Sequence, residues 1–128
     1  MENLEIISVT NNGEGPSFFS SKEIILSGDD MRMLSEQQAA VNFRLRTSGS
    51  NYSSNYHVAG DPTLLIILKG QLRVSLPNGE TKDFSAGEMF IAEDYLKEGI
   101  GATENHGHKA EVIGEAPLNA LHLKLAKR

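Results

Sequence analysis

The chain has 128 residues, no cysteine and no tryptophan, and carries 12 Lys+Arg against 17 Asp+Glu for a formal net charge of −5. That is enough chain for one domain, with no disulfide, thiolate metal site or cysteine nucleophile, and its acidic balance argues against phosphate backbones and anionic lipid as partners. The longest apolar run, Leu64–Leu68, is far short of a membrane span, and the acidic opening Met1-Glu2-Asn3-Leu4-Glu5 has no basic segment followed by an apolar one, so a cytoplasmic domain without nucleic-acid or membrane partners is expected.

Apolar residues fall in short runs of strand length, separated by Gly, Pro, Asn, Asp and Ser. Leu4–Val9 and Phe18–Leu26 read as strands, and Asp30–Ala40 as the one short helix, capped by Asp29 or Asp30 with Met31, Leu34 and Gln38 on one face. Residues 1–38 therefore read as an N-terminal extension that packs on a barrel or on a dimer partner, and residues 39–128 as the barrel itself. Ala40–Thr47 alternates, with Val41, Phe43 and Leu45 on one face and Asn42, Arg44 and Arg46 on the other. If the polar face lines a cavity, an arginine there can grip a carboxylate or phosphate with two parallel hydrogen bonds; otherwise it is a solvated strand face.

Thr63–Leu68 does not alternate, so both faces need cover. One face looks into the barrel; the other lies under extra strands from the N-terminal segment or under a second copy of the chain, and a homodimer is expected. Leu72–Leu76 and Thr81–Phe84 flank Pro77-Asn78-Gly79, and the Asn-Gly pair predicts a type I′ hairpin with positive φ at both residues. Met89–Ala92, Ala110–Ile113 and Leu118–Leu125 complete the strands. In the last, Leu121, Leu123 and Leu125 are assigned to the core face and His122 to the opposite one, in a structural role. Many short strands with frequent turns predict an all-β barrel or sandwich.

The stretch from Gly79 through Phe84-Ser85-Ala86-Gly87-Glu88-Met89-Phe90 resembles the second motif of the cupin superfamily, with Gly79 and Gly87 on the motif glycines, Ser85 at the usual proline and Phe90 at the usual histidine. Counting back from Gly70, His57 falls on the first histidine of the first motif, Ala59 on the second, Thr63 on the glutamate and Asn51 on the leading glycine. Tyr56-His57-x-Ala59 and Ala92-Glu93-Asp94 resemble small bacterial cupins of unassigned function. The resemblance implies an all-β, cupin-like jelly-roll barrel, a single domain with an N-terminal strand extension. A cupin metal site uses imidazoles and a carboxylate converging inside the barrel. Of those positions only His57 carries a ligand here, so no metal is expected from the usual set, and no other cofactor.

His57, placed at the barrel mouth, is the candidate general base or ligand-orienting donor. Glu93 is the candidate catalytic carboxylate at the rim, with a turn cap as its other reading. Asn42, Arg44, Tyr56, Phe90 and Asp94 are the candidate ligand-binding residues. His106 and His108 form the one local His-x-His; with His57 they would make a non-standard metal site, or else belong to a solvated loop. Three functions follow. One is a barrel that binds a small organic molecule, as a binding protein or as a metal-independent acid/base isomerase or lyase. Another is a metal-dependent enzyme on the non-standard histidines, and the third a non-catalytic dimeric binding or regulatory module. Whether the protein is an enzyme stays open at this point.

Overall fold

A computed structural model describes residues 2–127, with Glu2 by its backbone alone. Every predicted strand forms. The elements are β1 (Glu2–Thr10), β2 (Phe18–Asp29), β3 (Arg32–Leu34), β4 (Ala40–Ser48), β5 (Thr63–Lys69), β6 (Gln71–Ser75), β7 (Thr81–Ser85), β8 (Met89–Ala92), β9 (Lys109–Ile113) and β10 (Leu118–Leu125). They make a seven-stranded sheet in the order β3-β2-β1-β8-β5-β10-β4 and a three-stranded sheet in the order β7-β6-β9. Strands β1 and β8 pair in parallel; the other pairings are antiparallel. No helix among the described residues is long and apolar enough to cross a membrane.

Two local expectations are corrected. The helix over Asp30–Ala40 is absent. The Asp29 carboxylate instead accepts the N–H of Met31 at 2.9 Å and of Arg32 at 3.2 Å, which closes a tight turn, and the chain returns as β3 against the end of β2. A capping residue serves a turn as well as a helix, and Met31, 93% exposed, has no surface to pack on. The second correction is the hairpin between β6 and β7. Gly79 has a φ of +96°, while no non-glycine residue among those described has positive φ, so the turn is not type I′. Pro77 fixes the first corner, the Gly79 N–H donates to the Leu76 carbonyl at 2.9 Å, and the Leu76 N–H donates to the Glu80 carbonyl at 2.9 Å. Only the residue entering the second strand needs the left-handed conformation.

The core lies between the sheets. Val9, Leu65, Ile67, Phe90 and Ala120 of the larger sheet meet Leu72, Val74, Phe84 and Val112 of the smaller one, all buried. Each of the larger side chains contributes about 1.5–3 kcal/mol by leaving water. Register defines the rows across the large sheet. Arg44 of β4 faces His122 of β10, which faces Leu65 of β5, then Phe90 of β8, then Ile7 of β1. This row points inward. The neighbouring row of Phe43, Leu123, Leu64, Ile91 and Ser8 points outward.

That phase reverses the assignment of the last strand. Leu121, Leu123 and Leu125 face away from the barrel, and His122 faces in. The N-terminal strands extend the sheet sideways beyond β8 rather than lying over β5. The outer side of β5 therefore stays only half covered, with Leu68 52% exposed.

Candidate functional site

Inward pointing places the polar stripe of β4 on the cavity side. A cavity of about 190 Å3 lies between the sheets, walled by Leu65, Val74, Phe90, His57, His108 and His122 among others. It shares Arg46, Ala59, Thr63 and His122 with an open basin of about 640 Å3, which Asn42, Arg44 and Lys124 also line. Apolar side chains form the inner end and cationic ones the mouth.

The far wall carries two imidazoles. His57 and His108 face each other as a doubly hydrogen-bonded backbone pair, each N–H donating to the other's carbonyl at 2.9 Å. Gly107 makes that approach possible: its φ is +81°, and a Cβ there would collide with the His57 carbonyl. The rings sit 4.8 Å apart, tilted by 49°.

Behind His108 lies Asp94, fully buried. Its carboxylate accepts from His108 Nδ1 at 2.8 Å, from Ser17 Oγ–H at 2.6 Å and from the Ala59 N–H at 2.9 Å. Burial alone would raise the Asp94 pKa, but the bonds from His108, Ser17 and Ala59 outweigh it, and the net displacement is downward. An ionised carboxylate only accepts, so His108 Nδ1 carries a proton. The His57 Nδ1 likewise lies 2.8 Å from the Asn55 carbonyl, which only accepts. In its neutral form each ring therefore keeps its lone pair on Nε2.

The near wall is cationic. Arg46 donates through Nε to Ser48 Oγ at 2.8 Å and lies 4.4 Å over the Tyr52 ring. Among the described residues no carboxylate comes within ion-pair distance of Arg44 or Arg46. His122, between them, has a buried Nε2 with no hydrogen-bond partner. Its pKa is held down by burial first and then by the charges of Arg46 and Arg44.

The other candidates lie elsewhere. Glu93 accepts from Ser8 Oγ at 2.6 Å and lies 3.1 Å from Lys22 Nζ, on the outward side of the large sheet, away from His57. Tyr56 is 40% exposed and lies outside both cavities, with Lys109 Nζ 5.7 Å from its ring. Phe90 forms the floor, stacked on Phe84 at 4.4 Å. Asp94 does not line the cavity; it bonds His108 and the Ala59 N–H, both from residues that do. His106 donates through Nε2 to the Glu14 carbonyl at 2.7 Å and accepts the Thr103 N–H on Nδ1 at 3.0 Å, so both ring nitrogens are engaged in loop contacts. His122 is the residue that sequence reasoning misplaces. Its signal is the pairing of two alternating strands: if Arg44 faces inward, its cross-strand neighbour must as well.

No family model matches the sequence, and no curated protein does. Solved structures do match in shape. The cupin domain of Cnp3 from Schizosaccharomyces pombe superposes with a TM-score of 0.51 at 11% identity, covering 99% of this chain and 89% of that one. The fold is a cupin fold. Two further cupins lie just below that similarity: a cupin superfamily protein from Desulfitobacterium hafniense (TM-score 0.48, 16% identity, 73% of each chain) and a cupin-2 domain protein from Shewanella frigidimarina (0.44, 14%, 71% of this chain and 81% of that one).

At the positions where the cupin motifs place metal ligands this chain has His57, Ala59, Thr63 and Phe90. Only the first can ligate. Among the described residues no group of three or more histidine or carboxylate side chains is placed to hold a metal ion. The donor set does not fit the usual cupin metal, and unpaired arginines on the near wall oppose any cation there.

Proposed function

We propose that this cupin-fold protein binds a small organic molecule inside its barrel. The observation that carries the reading is the cavity of about 190 Å3, apolar at its inner end and furnished with a few convergent polar groups at its mouth, the usual composition of a ligand site. It is small for a drug-like ligand and close to the roughly 150 Å3 at which an apolar protein cavity accepts benzene. Titration with benzyl alcohol and benzoate, followed by amide NMR, tests the reading. Shifts centred on Leu65, Val74 and Phe90 are expected. A barrel indifferent to both compounds overturns it.

The histidine pair supports a second reading, metal-independent acid/base chemistry. Asp94 and the Asn55 carbonyl fix the tautomers so that each neutral ring offers Nε2 as a base. Solvent deuterium entering a small keto acid, with loss of that exchange in His57→Gln and in His108→Gln, is the expected signature. Metal content tests the remaining alternative. Protein purified without chelator should carry well under one equivalent of divalent metal, unchanged by His57→Ala.

We further propose a homodimer through the outer face of the large sheet. Val41, Phe43 and Leu45 are 61%, 64% and 68% exposed, and the rows of Phe43 and Leu45 continue through Leu123 and Leu64 and through Leu121 and Ile66 without a charge. An uncharged face of this kind is self-complementary under a two-fold axis. Sedimentation of Phe43→Glu/Leu45→Glu as a monomer beside a wild-type dimer supports it; a wild-type monomer overturns it.

A further inference from the structure

We infer that the barrel's ligand is a small organic anion of carboxylate type, with an apolar body of about benzene size, seated by Arg44, Arg46 and His122 and bound together with one proton taken up by His122. The inference rests on the small-molecule reading above and specifies its chemistry.

Three observations carry it. His122 lines both the cavity and the basin, and its Nε2 is buried and has no partner, so the folded chain leaves the desolvation of one polar atom uncompensated, a loss an incoming ligand atom can recover. The same atom sits in a cationic neighbourhood. β4 brings Arg44 and Arg46 beside it, β10 itself brings Lys124, and β5 brings Leu65 and Thr63, which do not titrate. From the opposite wall come His57 and His108. The Asp94 carboxylate is committed to His108, and that of Asp61 lies 3.8 Å from Lys124. Among the described residues Arg44 and Arg46 thus have no carboxylate within ion-pair distance, whereas Lys124 has Asp61. Finally, the inner end offers Leu65, Val74 and Phe90 rather than further polar groups, so only the head of the ligand can be ionic.

The proton follows from the same geometry. Burial first, and then the charges of Arg46 and Arg44, resist protonation of His122. A bound anion offsets part of that positive charge, and a protonated Nε2 donates a charge-assisted hydrogen bond to it. Binding and protonation then assist each other reciprocally, so affinity must rise as pH falls.

Calorimetric titration of the full chain with benzoate, benzenesulfonate and benzyl alcohol, from about pH 8 to about pH 5.5, tests this. Benzenesulfonate keeps its charge throughout, so its pH dependence reports the protein. Both anions should bind and the alcohol more weakly, with anion affinity rising up to about tenfold per pH unit for one linked proton. His122→Gln, which keeps a donor but cannot titrate, should bind benzenesulfonate with a flat pH profile. His106→Gln, in a loop outside the cavity, should keep the slope, and Arg44→Gln with Arg46→Gln should lose at least about tenfold in affinity for both anions. Equal binding of alcohol and anions, insensitive to the arginines, overturns the anion inference and leaves the small-molecule reading standing. A slope that survives His122→Gln overturns the role of His122. No binding of any of the three overturns both readings.

Discussion

Two adjacent rows of the large sheet show what each of its faces is for. Inward, Arg44, His122, Leu65, Phe90 and Ile7 run from charged to apolar across five strands; outward, Phe43, Leu123, Leu64, Ile91 and Ser8 run from an exposed phenylalanine to a buried hydroxyl. At the β4 and β10 end the ordinary arrangement is inverted, with cations facing the barrel and large apolar side chains facing water. The outer half of that inversion is unfavourable in an isolated chain, since an extended exposed apolar patch needs cover, while the inner half leaves two arginines in an open basin without a carboxylate partner. Their occurrence back to back on the same two strands suits different partners on the two surfaces, the proposed small anion on one side and a protein surface on the other. At the β8 and β1 end the inner face is ordinary core.

Substitutions separate the two faces. The largest effect is expected at the ordinary inner end: Phe90→Ala should cost about 3–5 kcal/mol of unfolding free energy in urea melts, because the stacked Phe84 and the cavity floor cannot close the void. Asp94→Asn comes next, at about 2–3 kcal/mol, as it weakens bonds from His108, Ser17 and Ala59 at a fully buried site. It should also change the acid limb of the stability curve. Asp94 has a depressed pKa in the folded state, so its stabilisation is present above the unfolded carboxylate value of about 3.9 and is lost as pH falls through the lower folded value. In the Asp94→Asn variant that portion of the acid transition should be missing.

His122 predicts a smaller effect in a different window. Its folded pKa is also depressed, but it is a base. The unfolded chain therefore binds a proton below about pH 6.5 that the folded chain resists, and stability declines as pH falls from there toward the folded value. The half-buried ring is partly screened by solvent, so a fraction of a kcal/mol is expected. His122→Gln should flatten the curve between about pH 7 and pH 5, while a bound anion should restore stability to the wild type. The smallest effect on the fold is expected on the outer face. Phe43→Ser should change monomer stability by less than about 0.5 kcal/mol yet weaken self-association measured by sedimentation. A cost above about 2 kcal/mol, measured on a protein that stays monomeric at every concentration, would mean Phe43 packs within its own chain.

Much of this contrast is written in the sequence, but not its sign. Strand alternation separates Asn42, Arg44 and Arg46 from Val41, Phe43 and Leu45 unambiguously, and it separates His122 from its leucine neighbours. A period of two says which residues share a face; it does not say which face meets the second sheet. Hydrophobicity normally supplies that sign, and here it points the wrong way, placing His122 outward and the leucines inward. The Asp94–His108 pair is illegible for a different reason. Its members are 14 residues apart in stretches without regular alternation, and the third partner, Ser17, comes from the other end of the chain. The lost helix shows the limit of capping signals, since Asp29 ties its turn with the same kind of backbone donors it would have used to start a helix.

The tie between Ser17 and Asp94 spans 77 residues, and the strand just before Ser17 is the one that pairs in parallel with β8. Contacts of such separation form late, because the loop they close is expensive in chain entropy until the intervening barrel exists. A ribosome therefore delivers β1 and β2 as a hairpin whose free edge must wait for nearly the whole barrel to emerge. The hydroxyl that completes the hydrogen bonding of Asp94 docks only when that edge is closed. An incompletely wrapped chain thus has a loosely held His108 as well as an open strand edge.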